Sequence, residues 1–300
     1  MTDDKGSKRI VRVGSRASRL AVLQSEIVIR QIEEACPEVS VELITMKTTG
    51  DKILDKTLDQ IGGKGLFVKE LDEALRAGEV DITVHSLKDL PGVIPEDLPL
   101  SAFSHRKDPR DVLVLPAGKT EIDLSLPVGT SSLRRSLQIK ELIPGVTVAP
   151  IRGNVETRLR KLDEGQYSAL VLAAAGLKRL GLETRISRYF SPEEMIPAAC
   201  QGILGIQTRE DADAALIEMI NDDDARKCAL AERAYVKAIG ADCGSPDTAF
   251  AQIDGDRMMI RGLRYDTERK LVIRECISGD ASDPEELGRE LADRMMKHEQ

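Results

Sequence analysis

The chain has 300 residues, a formal net charge of −8 at pH 7, 41% hydrophobic residues and 31% charged residues. This length exceeds the usual size of one domain, so we expect two or three domains with cores of their own. No apolar run approaches the ~20 residues that span a bilayer. The first residues lack the apolar core of a secretory signal, and the expected location is the cytoplasm.

Residue types that bind metals or stack on bases are few. The five cysteines form no Cys-x-x-Cys pair and the three histidines form no HExxH motif, so we expect neither a metal centre nor a disulfide framework. Aromatic residues make up only 3% of the chain, with no tryptophan. The stacking platforms typical of single-strand binders are therefore missing, and the acidic net charge also argues against nucleic acid as a partner.

The first predicted unit is a strand, a turn and a helix. The pattern predicts a strand over residues 9–13, the turn GSRASR over residues 14–19, and an amphipathic helix that runs to about residue 35. The turn brings Arg16 and Ser18 near a helix N-terminus, where free N–H groups and the helix dipole favour anions. Both are candidate anion-binding residues.

A charged segment follows the second predicted strand, residues 41–46. It contains GGKG at residues 62–65, but a phosphate-binding P-loop needs GxxxxGK followed by Ser or Thr. The segment is therefore either a plain flexible loop or a lid whose Lys64 meets an anion. A helix over residues 66–76 comes next.

The sequence HSLKDLP, residues 85–91, follows a short predicted strand over residues 80–84. Its Asp89 either caps the next backbone segment or faces a crevice at the carboxyl end of the strand. In a crevice beside Lys88 the carboxylate would stay ionised, because nearby positive charge favours the charged form. A retained negative charge stabilises a cation that forms during a reaction, so Asp89 is a candidate catalytic residue.

Two segments predict crossings between lobes. Residues 103–111 lead into a new strand at residues 111–115, and residues 193–202 lead into a returning strand at residues 203–207. Between them, Arg179 stands near a turn that follows another predicted strand. We therefore expect the chain to pass into a second lobe and back.

Two consecutive turns of this second lobe carry arginine at like positions. GTSSLRR, residues 129–135, and RGNVETR, residues 152–158, each stand between a predicted strand and a predicted helix. A single arginine there is more often on a solvated helix face, but the common placement predicts a site for carboxylates or phosphates. The arginines concerned are Arg134, Arg135, Arg152 and Arg158.

The last part of the chain predicts a small α+β unit. Helical patterns cover residues 211–221 and 222–239, and three strands near residues 247–254, 258–265 and 270–277 precede a helix over residues 285–297. The three strands and the terminal helix complete this α+β unit.

Cys243 stands in the turn ADCGSP that follows the long helix of this unit. Cysteines are more often buried apolar residues than reactive groups, but such a turn is a poor place for a core residue. The neighbouring Asp242 disfavours a thiolate, which suits a thiol that is alkylated once better than one that cycles between redox states.

Together the elements predict an α/β protein with two similar lobes around a cleft and a small α+β domain. We expect lobe 1 to comprise residues 1–104 and 203–220, lobe 2 residues 105–202, and the C-terminal domain residues 221–300. An anion receptor without catalysis would use the same two lobes. A phosphoester or nucleotide enzyme is a third hypothesis, weakened by the missing P-loop and metal ligands.

A series of motifs runs along almost the whole chain: GSRASRLA, GDKILD, GGKGLFVKELDEAL, DITVHSLKDLP, RKDPRD, GTSSLRR, RGNVETRLRKL, AGLKRLGL, and AERA with a downstream cysteine. In kind and order they resemble the porphobilinogen deaminase family, also called hydroxymethylbilane synthases. The resemblance implies two lobes of periplasmic-binding-protein-like topology and a third domain that carries a dipyrromethane cofactor on a thioether to Cys243. It also implies a monomer.

The activity implied by the resemblance is the joining of four porphobilinogen units to this cofactor. Ammonia leaves at each addition, and hydrolysis then frees hydroxymethylbilane for tetrapyrrole biosynthesis. Asp89 matches the catalytic acid, and Gly62, Gly63, Lys64 and Phe67 fall in the family's mobile loop. The positions that would bind cofactor and substrate are Arg16, Ser18, Lys64, Lys88, Ser132, Arg134, Arg135, Arg152, Arg158, Arg179 and the hinge residue Gln201.

The segment around Cys243 departs from the family pattern. Ala241 and Asp242 stand where two glycines are usual, and Pro-Asp-Thr at residues 246–248 replaces Pro-Ile-Gly. The spacing from AERA to Cys243 is as expected, so the attachment assignment is kept. Cys200 stands where the family has a small residue before Gln-Gly, and we expect it to be a packed thiol.

Overall fold

The computed structural model describes residues 9–48, 68–241 and 244–297. Its strands are β1 (Arg9–Arg16), β2 (Val39–Met46), β3 (Ile82–Ser86), β4 (Leu100–Phe103), β5 (Asp111–Val114), β6 (Val128–Gly129), β7 (Val148–Ala149), β8 (Ala169–Ala173), β9 (Arg188–Tyr189), β10 (Leu204–Thr208), β11 (Thr248–Asp254), β12 (Arg257–Asp266) and β13 (Leu271–Asp280). Its α-helices are α1 (Arg19–Ala35), α2 (Lys69–Arg76), α3 (Leu133–Leu142), α4 (Val155–Asp163), α5 (Ala174–Arg179), α6 (Ala214–Met219), α7 (Asp223–Ala238) and α8 (Pro284–Lys297).

Lobe 1 is built on a five-stranded sheet with the order β2-β1-β3-β10-β4. Strand β1 pairs in parallel with β2 and β3, whereas β10 runs antiparallel to β3 and β4. Val11 and Val13 of β1 pack against Val28 and Ile32 of α1, and all four are at most 3% exposed. This packing fixes the carboxyl end of β1, where Arg16 lies, next to the N-terminus of α1.

Lobe 2 repeats this topology with the order β7-β6-β8-β5-β9. Strand β6 pairs in parallel with β7 and β8, and β5 runs antiparallel to β8 and β9. In each sheet the fourth strand in spatial order directly follows a segment that crosses between the lobes. This strand is β10 in lobe 1 and β5 in lobe 2. The prediction of two similar α/β lobes is confirmed.

The two crossings run side by side between the lobes. Residues 104–110 join β4 to β5, and residues 190–203 join β9 to β10. The Lys107 N–H donates to the carbonyl of Gly202 over 3.1 Å, and the Ser104 N–H donates to the carbonyl of Leu204 over 2.9 Å. The chain thus leaves the first sheet after β4 and returns to it as β10.

The C-terminal domain is an antiparallel three-stranded sheet, β11-β12-β13, covered by α7 and α8. Tyr235, Met258 and Leu291 are fully buried between these layers. The two helices pack so closely at Gly288 that a Cβ there would lie 2.2 Å from the carbonyl oxygen of Ala231. The predicted α+β unit is therefore confirmed, with α7 held firmly in it.

Several predicted elements have different bounds in the structure; β1, expected over residues 9–13, continues to Arg16. The strand expected at residues 80–84 is β3, which starts at Ile82 because the N–H groups of Val80 and Asp81 bond to the carbonyls of Ala74 and Arg12. The helix expected over residues 211–221 is only α6. It starts late because the Asp213 side chain accepts hydrogen bonds from Ala215 and Leu216 as its N-cap.

Strand β7 has only two residues, since the Val146 N–H closes a turn on the carbonyl of Ile143. Within the described ranges, no helix combines the length and the apolar character needed to cross a bilayer.

Candidate active site

The strand-to-helix turns of both lobes are built alike by side-chain caps. Ser18 accepts a hydrogen bond from the Ala21 N–H at 3.4 Å, Ser132 from the Arg135 N–H at 3.5 Å, and Asn154 from the Thr157 N–H at 2.8 Å. Such caps fix the first turn of each helix and hold its free N–H groups toward the cleft side of the sheet. Ser18 and Ser132 therefore have a capping role, and their contact with a ligand remains a prediction.

Asp89 ends a short 3₁₀ turn, Leu87–Asp89, that directly follows β3. Its side chain is exposed, whereas Leu87 and Leu90 on either side are buried. Among the described residues, none hydrogen-bonds to the Asp89 carboxylate, so capping does not account for it. The buried leucines clamp the turn, and the carboxylate is left available at the carboxyl end of the strand.

Lys88 joins this turn to the second crossing. Its Nζ donates to Oε1 of Gln201 over 3.3 Å. Burial lowers the pKa of Lys88 to about 8. The positive charges of Arg134 and Arg135 act in the same direction, while the charge of Asp89 opposes them. Lys88 is thus a partly desolvated cation that touches the hinge and lies beside the candidate catalytic carboxylate.

A fully buried carboxylate, Asp111, organises the arginines of the first turn. Its Oδ1 accepts from Arg135 Nε and Nη2 at 3.1 and 2.7 Å, and its Oδ2 accepts from Arg134 Nη1 at 2.6 Å. Gln201 Nε2 donates to the same Oδ1 at 2.9 Å. Burial alone would raise the pKa of Asp111, but the two guanidinium groups hold it far below its usual range.

This network was not predicted from the sequence. Asp111 stands at the start of an apolar strand, where the sequence offers no sign of partners that come from α3 and the second crossing. The only signal was its place in the motif RKDPRD, whose role could not be assigned. Arg134 also donates to the carbonyl of Ile196 at 2.7 Å. All its described contacts are therefore internal, and its contact with a ligand remains a prediction.

Arg158 and Arg179 extend the positive surface. The pKa of each is lowered to about 10, that of Arg179 by burial and that of Arg158 by burial together with the positive charges of Arg135 and Arg152. Arg158 donates to the carbonyl of Gly153 at 2.8 Å, and Arg179 to the carbonyl of Gly202 at 2.9 Å. Within the described part of the chain, the buried Nε of Arg179 has no hydrogen-bond partner.

Arg16 belongs to the facing lobe. It lies at the end of β1, close enough to His85 that its charge adds to the effect of burial in lowering the pKa of that imidazole to about 4. Several cations thus lie close together in a poorly hydrated region, where each positive charge disfavours the protonated form of its neighbours. That arrangement fits an anion with several carboxylates, because each carboxylate relieves repulsion and accepts charge-assisted hydrogen bonds. Such an anion is what a dipyrromethane with acidic side chains would be.

Some predicted site residues lie outside the described residues. These are Gly62, Gly63, Lys64 and Phe67 of the glycine-rich segment, together with Cys243. In residues 9–48, 68–241 and 244–297, no group of three His, Cys, Asp or Glu side chains is placed to hold a metal ion. Cys200 is buried and its pKa is raised to about 12, first by burial and then by Glu232, so its prediction as a packed thiol is confirmed.

The fold defines a two-lobed α/β protein in which capped helix N-termini and partly buried cations accompany one exposed carboxylate, Asp89. Residues 11–217 match the family model described as "Porphobilinogen deaminase, dipyromethane cofactor binding domain", and residues 226–297 match "Porphobilinogen deaminase, C-terminal domain". The chain therefore belongs to the porphobilinogen deaminase family.

Curated relatives agree over nearly the full length. A porphobilinogen deaminase of Acetivibrio thermocellus is 55% identical over 287 residues, which cover 96% of this chain and 98% of that protein. One of Roseiflexus sp. is 46% identical and covers 96% of each chain. Among solved structures, the periplasmic aliphatic sulphonate binding protein SsuA from Escherichia coli aligns over 77% of this chain and 70% of its own, with 11% identity and a TM-score of 0.40.

Proposed function

We propose that this protein is a porphobilinogen deaminase that joins four porphobilinogen units, with loss of ammonia at each step, and hydrolyses the chain to hydroxymethylbilane. The observation that carries the proposal is the group of partly buried cations near the Asp89 turn. The chain around them matches the family models over residues 11–217 and 226–297. When bound, the dipyrromethane supplies the free pyrrole end to which the first porphobilinogen is joined.

In this proposal, Asp89 stabilises the positive charge that develops on porphobilinogen as ammonia leaves. Its exposed carboxylate is held by a turn with buried leucines on both sides, so little reorganisation is needed when the charge forms. The effect of its charge on Lys88 and Arg158 places it within electrostatic reach of two residues that would hold the product chain. In this proposal Asp89 serves the reaction, and the neighbouring Lys88 and Arg158 bind the product chain.

The cationic side chains hold the growing chain, since every pyrrole adds two carboxylates. Charge-assisted hydrogen bonds contribute ~1.5–3 kcal/mol each, so several arginines together retain an intermediate even when one contact is lost. The proposed binding set is Arg16, Ser18, Lys64, Lys88, Ser132, Arg134, Arg135, Arg152, Arg158, Arg179 and Gln201. Cys243 is the proposed attachment point of the dipyrromethane, and Gly62, Gly63 and Phe67 belong to the proposed loop over the cleft.

We assign the catalytic lobe to residues 1–104 and 203–220, the anion-binding lobe to residues 105–202, and the attachment domain to residues 221–300. The membership of β10 in the first sheet supports this division. We also infer a cytoplasmic monomer. The unpaired thiols of Cys36, Cys200, Cys228 and Cys276 suit a reducing compartment, and a dimer mass in light scattering would contradict the inferred state.

The intact mass of the purified protein tests the proposal. A covalent dipyrromethane adduct should be present in the wild type and absent in Cys243→Ser, and incubation with porphobilinogen should release ammonia. A two-lobed carboxylate receptor without catalysis, the second candidate, would have an unmodified Cys243 and release none. An unmodified, inactive protein that still binds porphobilinogen would favour that receptor.

A further inference from the structure

The motif AERA, residues 231–234, lies in the middle of α7, and the proposed function gives it no task. Helix α7 begins below the Asp89 turn, where its Ala225 and Ala229 pack in one buried cluster with Leu87 and Leu90. Its other end is closed by Gly240 in a left-handed conformation with φ 68°. In the sequence, Cys243 follows three residues later, so α7 connects the buried cluster at the Asp89 turn with the segment that leads to the proposed attachment point.

Glu232 of this motif ties the helix to both crossings. It is fully buried, and its two oxygens accept from Arg106 Nη2 at 2.7 Å. It also accepts from the N–H of Cys200, and from the N–H of Ala251 at 2.7 Å. Arg106 belongs to the first crossing and Cys200 to the second, so one carboxylate fixes α7 to the hinge and to the C-terminal sheet.

Arg233, the next residue, reaches in the other direction. Its Nη2 donates to the carbonyl of Pro91 at 2.8 Å and to the carbonyl of Gly92 at 3.0 Å. These carbonyls belong to the segment that directly follows the Asp89 turn. A guanidinium on two backbone oxygens fixes a segment that has no sheet partner of its own.

We propose that Glu232 and Arg233 are positioning residues that hold the attachment domain in register with the hinge and with the Asp89 turn. The inference rests on the proposed function. In the first addition, the tethered primer can react only where its free end meets the proposed catalytic carboxylate, so this step depends on how the attachment domain is placed relative to the Asp89 turn. Arg233 holds the segment after Asp89, and Glu232 holds the helix that leads to Cys243.

The test compares Arg233→Met with Arg226→Met, which removes an exposed arginine of the same helix. The rate of the first porphobilinogen addition is followed by rapid quench and intact mass. In Arg233→Met we expect normal cofactor loading, nearly unchanged KM, and a rate lowered about tenfold or more, because small misplacements of reacting groups are costly. Arg226→Met should react like the wild type.

Arg233→Lys keeps a charged donor and should recover a large part of the rate. If Arg233→Met does not fold, Arg233→Gln, which loses the charge but keeps one donor group, carries the test, and an addition rate equal to that of the wild type in this variant would overturn the inference. A loaded Arg233→Met that reacts at the wild-type rate, with only a lower melting temperature, would likewise reduce Arg233 to a structural contact. By contrast, a wild type without adduct or mass steps would refute the proposed function itself.

Discussion

A single carboxylate, Asp111, sets the geometry of Arg134 and Arg135, two members of the proposed binding set. It neutralises one of the two adjacent guanidinium charges and leaves the pair with a net positive charge. Because Arg135 donates to Asp111 from Nε and Nη2 and to the carbonyl of Val171 from Nη1, its orientation is fixed before any ligand arrives. Such preorganisation reduces the entropic cost of binding, since a long side chain need not be ordered by the ligand.

The Asp89→Asn variant is expected to lose activity without losing its fold. The amide keeps the shape but not the charge, so stabilisation of the developing cation is lost. Ammonia release should fall about a hundredfold or more. The melting temperature should hardly change, because the side chain is exposed and the neighbouring leucines carry the packing. The matched control Glu96→Gln, at an exposed carboxylate, should be fully active; equal activity of both variants would exclude the role.

His85 should make the fold sensitive to mild acid. Burial lowers its pKa to about 4 from an ordinary 6.5, so between these values the unfolded chain binds a proton that the folded chain does not. Neutral His85 therefore costs the fold nothing above about pH 6.5. As the pH falls toward 4, the free energy of unfolding decreases by up to about 3 kcal/mol because the unfolded chain gains this proton.

Urea unfolding of the wild type and of His85→Gln at about pH 7.5 and about pH 4.5 measures this difference. The substitution should remove most of the extra loss at the lower pH. His105→Gln, which removes an imidazole whose side chain is 70% exposed, should retain it. The same pH dependence in the wild type and His85→Gln would contradict the assignment.

The two crossings work as one element because they are joined at Gly202. Its carbonyl accepts hydrogen bonds from Lys107 of the first crossing and from Arg179 at the end of α5. A Cβ at this position would lie 2.4 Å from the carbonyl oxygen of Lys107, and the φ of 94° disfavours any side chain. Only glycine lets the two segments approach this closely.

Gly202→Ala should therefore strain the hinge. We expect a loss of about 2 kcal/mol or more in the free energy of unfolding, together with a lower kcat. Gly181→Ala is the matched control, because Gly181 has a φ of 70° but open space around its Cα. It should cost less than Gly202→Ala, since it carries only the conformational penalty. Equal losses in urea unfolding would show that the close contact is unimportant.

At the scale of the molecule, charge is distributed unevenly. The chain has a net charge of −8, which repels an anionic substrate at long range, whereas the cleft carries the desolvated cations. Field lines concentrated in such a cleft attract the substrate locally. Attraction of this kind weakens when salt shortens the range of electrostatic forces.

Accordingly, kcat/KM for porphobilinogen should fall about threefold or more between about 0.05 and about 0.5 M NaCl. Most of the change should be in KM, because Asp89 acts at contact distance. Sucrose at matched viscosity is the control and should leave KM unchanged. A KM that does not depend on salt would mean that the cationic residues act only after the substrate has docked.

The order of the elements was readable from the sequence because it depends on local periodicity and on turn residues. The turns at residues 14–19, 129–135 and 152–158 are recognisable because Gly, Ser, Asn and Arg stand next to helical patterns. The partners of Asp111 could not be predicted, since they lie 23, 24 and 90 residues away. Local patterns carry no information about such pairs, and the same holds for Glu232 and Arg106.

Strand β10 has a consequence for the order in which the nascent chain folds. It occupies the place between β3 and β4 in its sheet, yet it leaves the ribosome about a hundred residues after β4. The five strands of lobe 2 all lie within the intervening stretch. Lobe 2 can therefore fold first. Until β10 is made, the backbone groups on one side of β3 have no sheet partner and could pair with other strands. The part of the protein made first is therefore completed only after lobe 2 has been made, and chaperone contacts during synthesis should concentrate there.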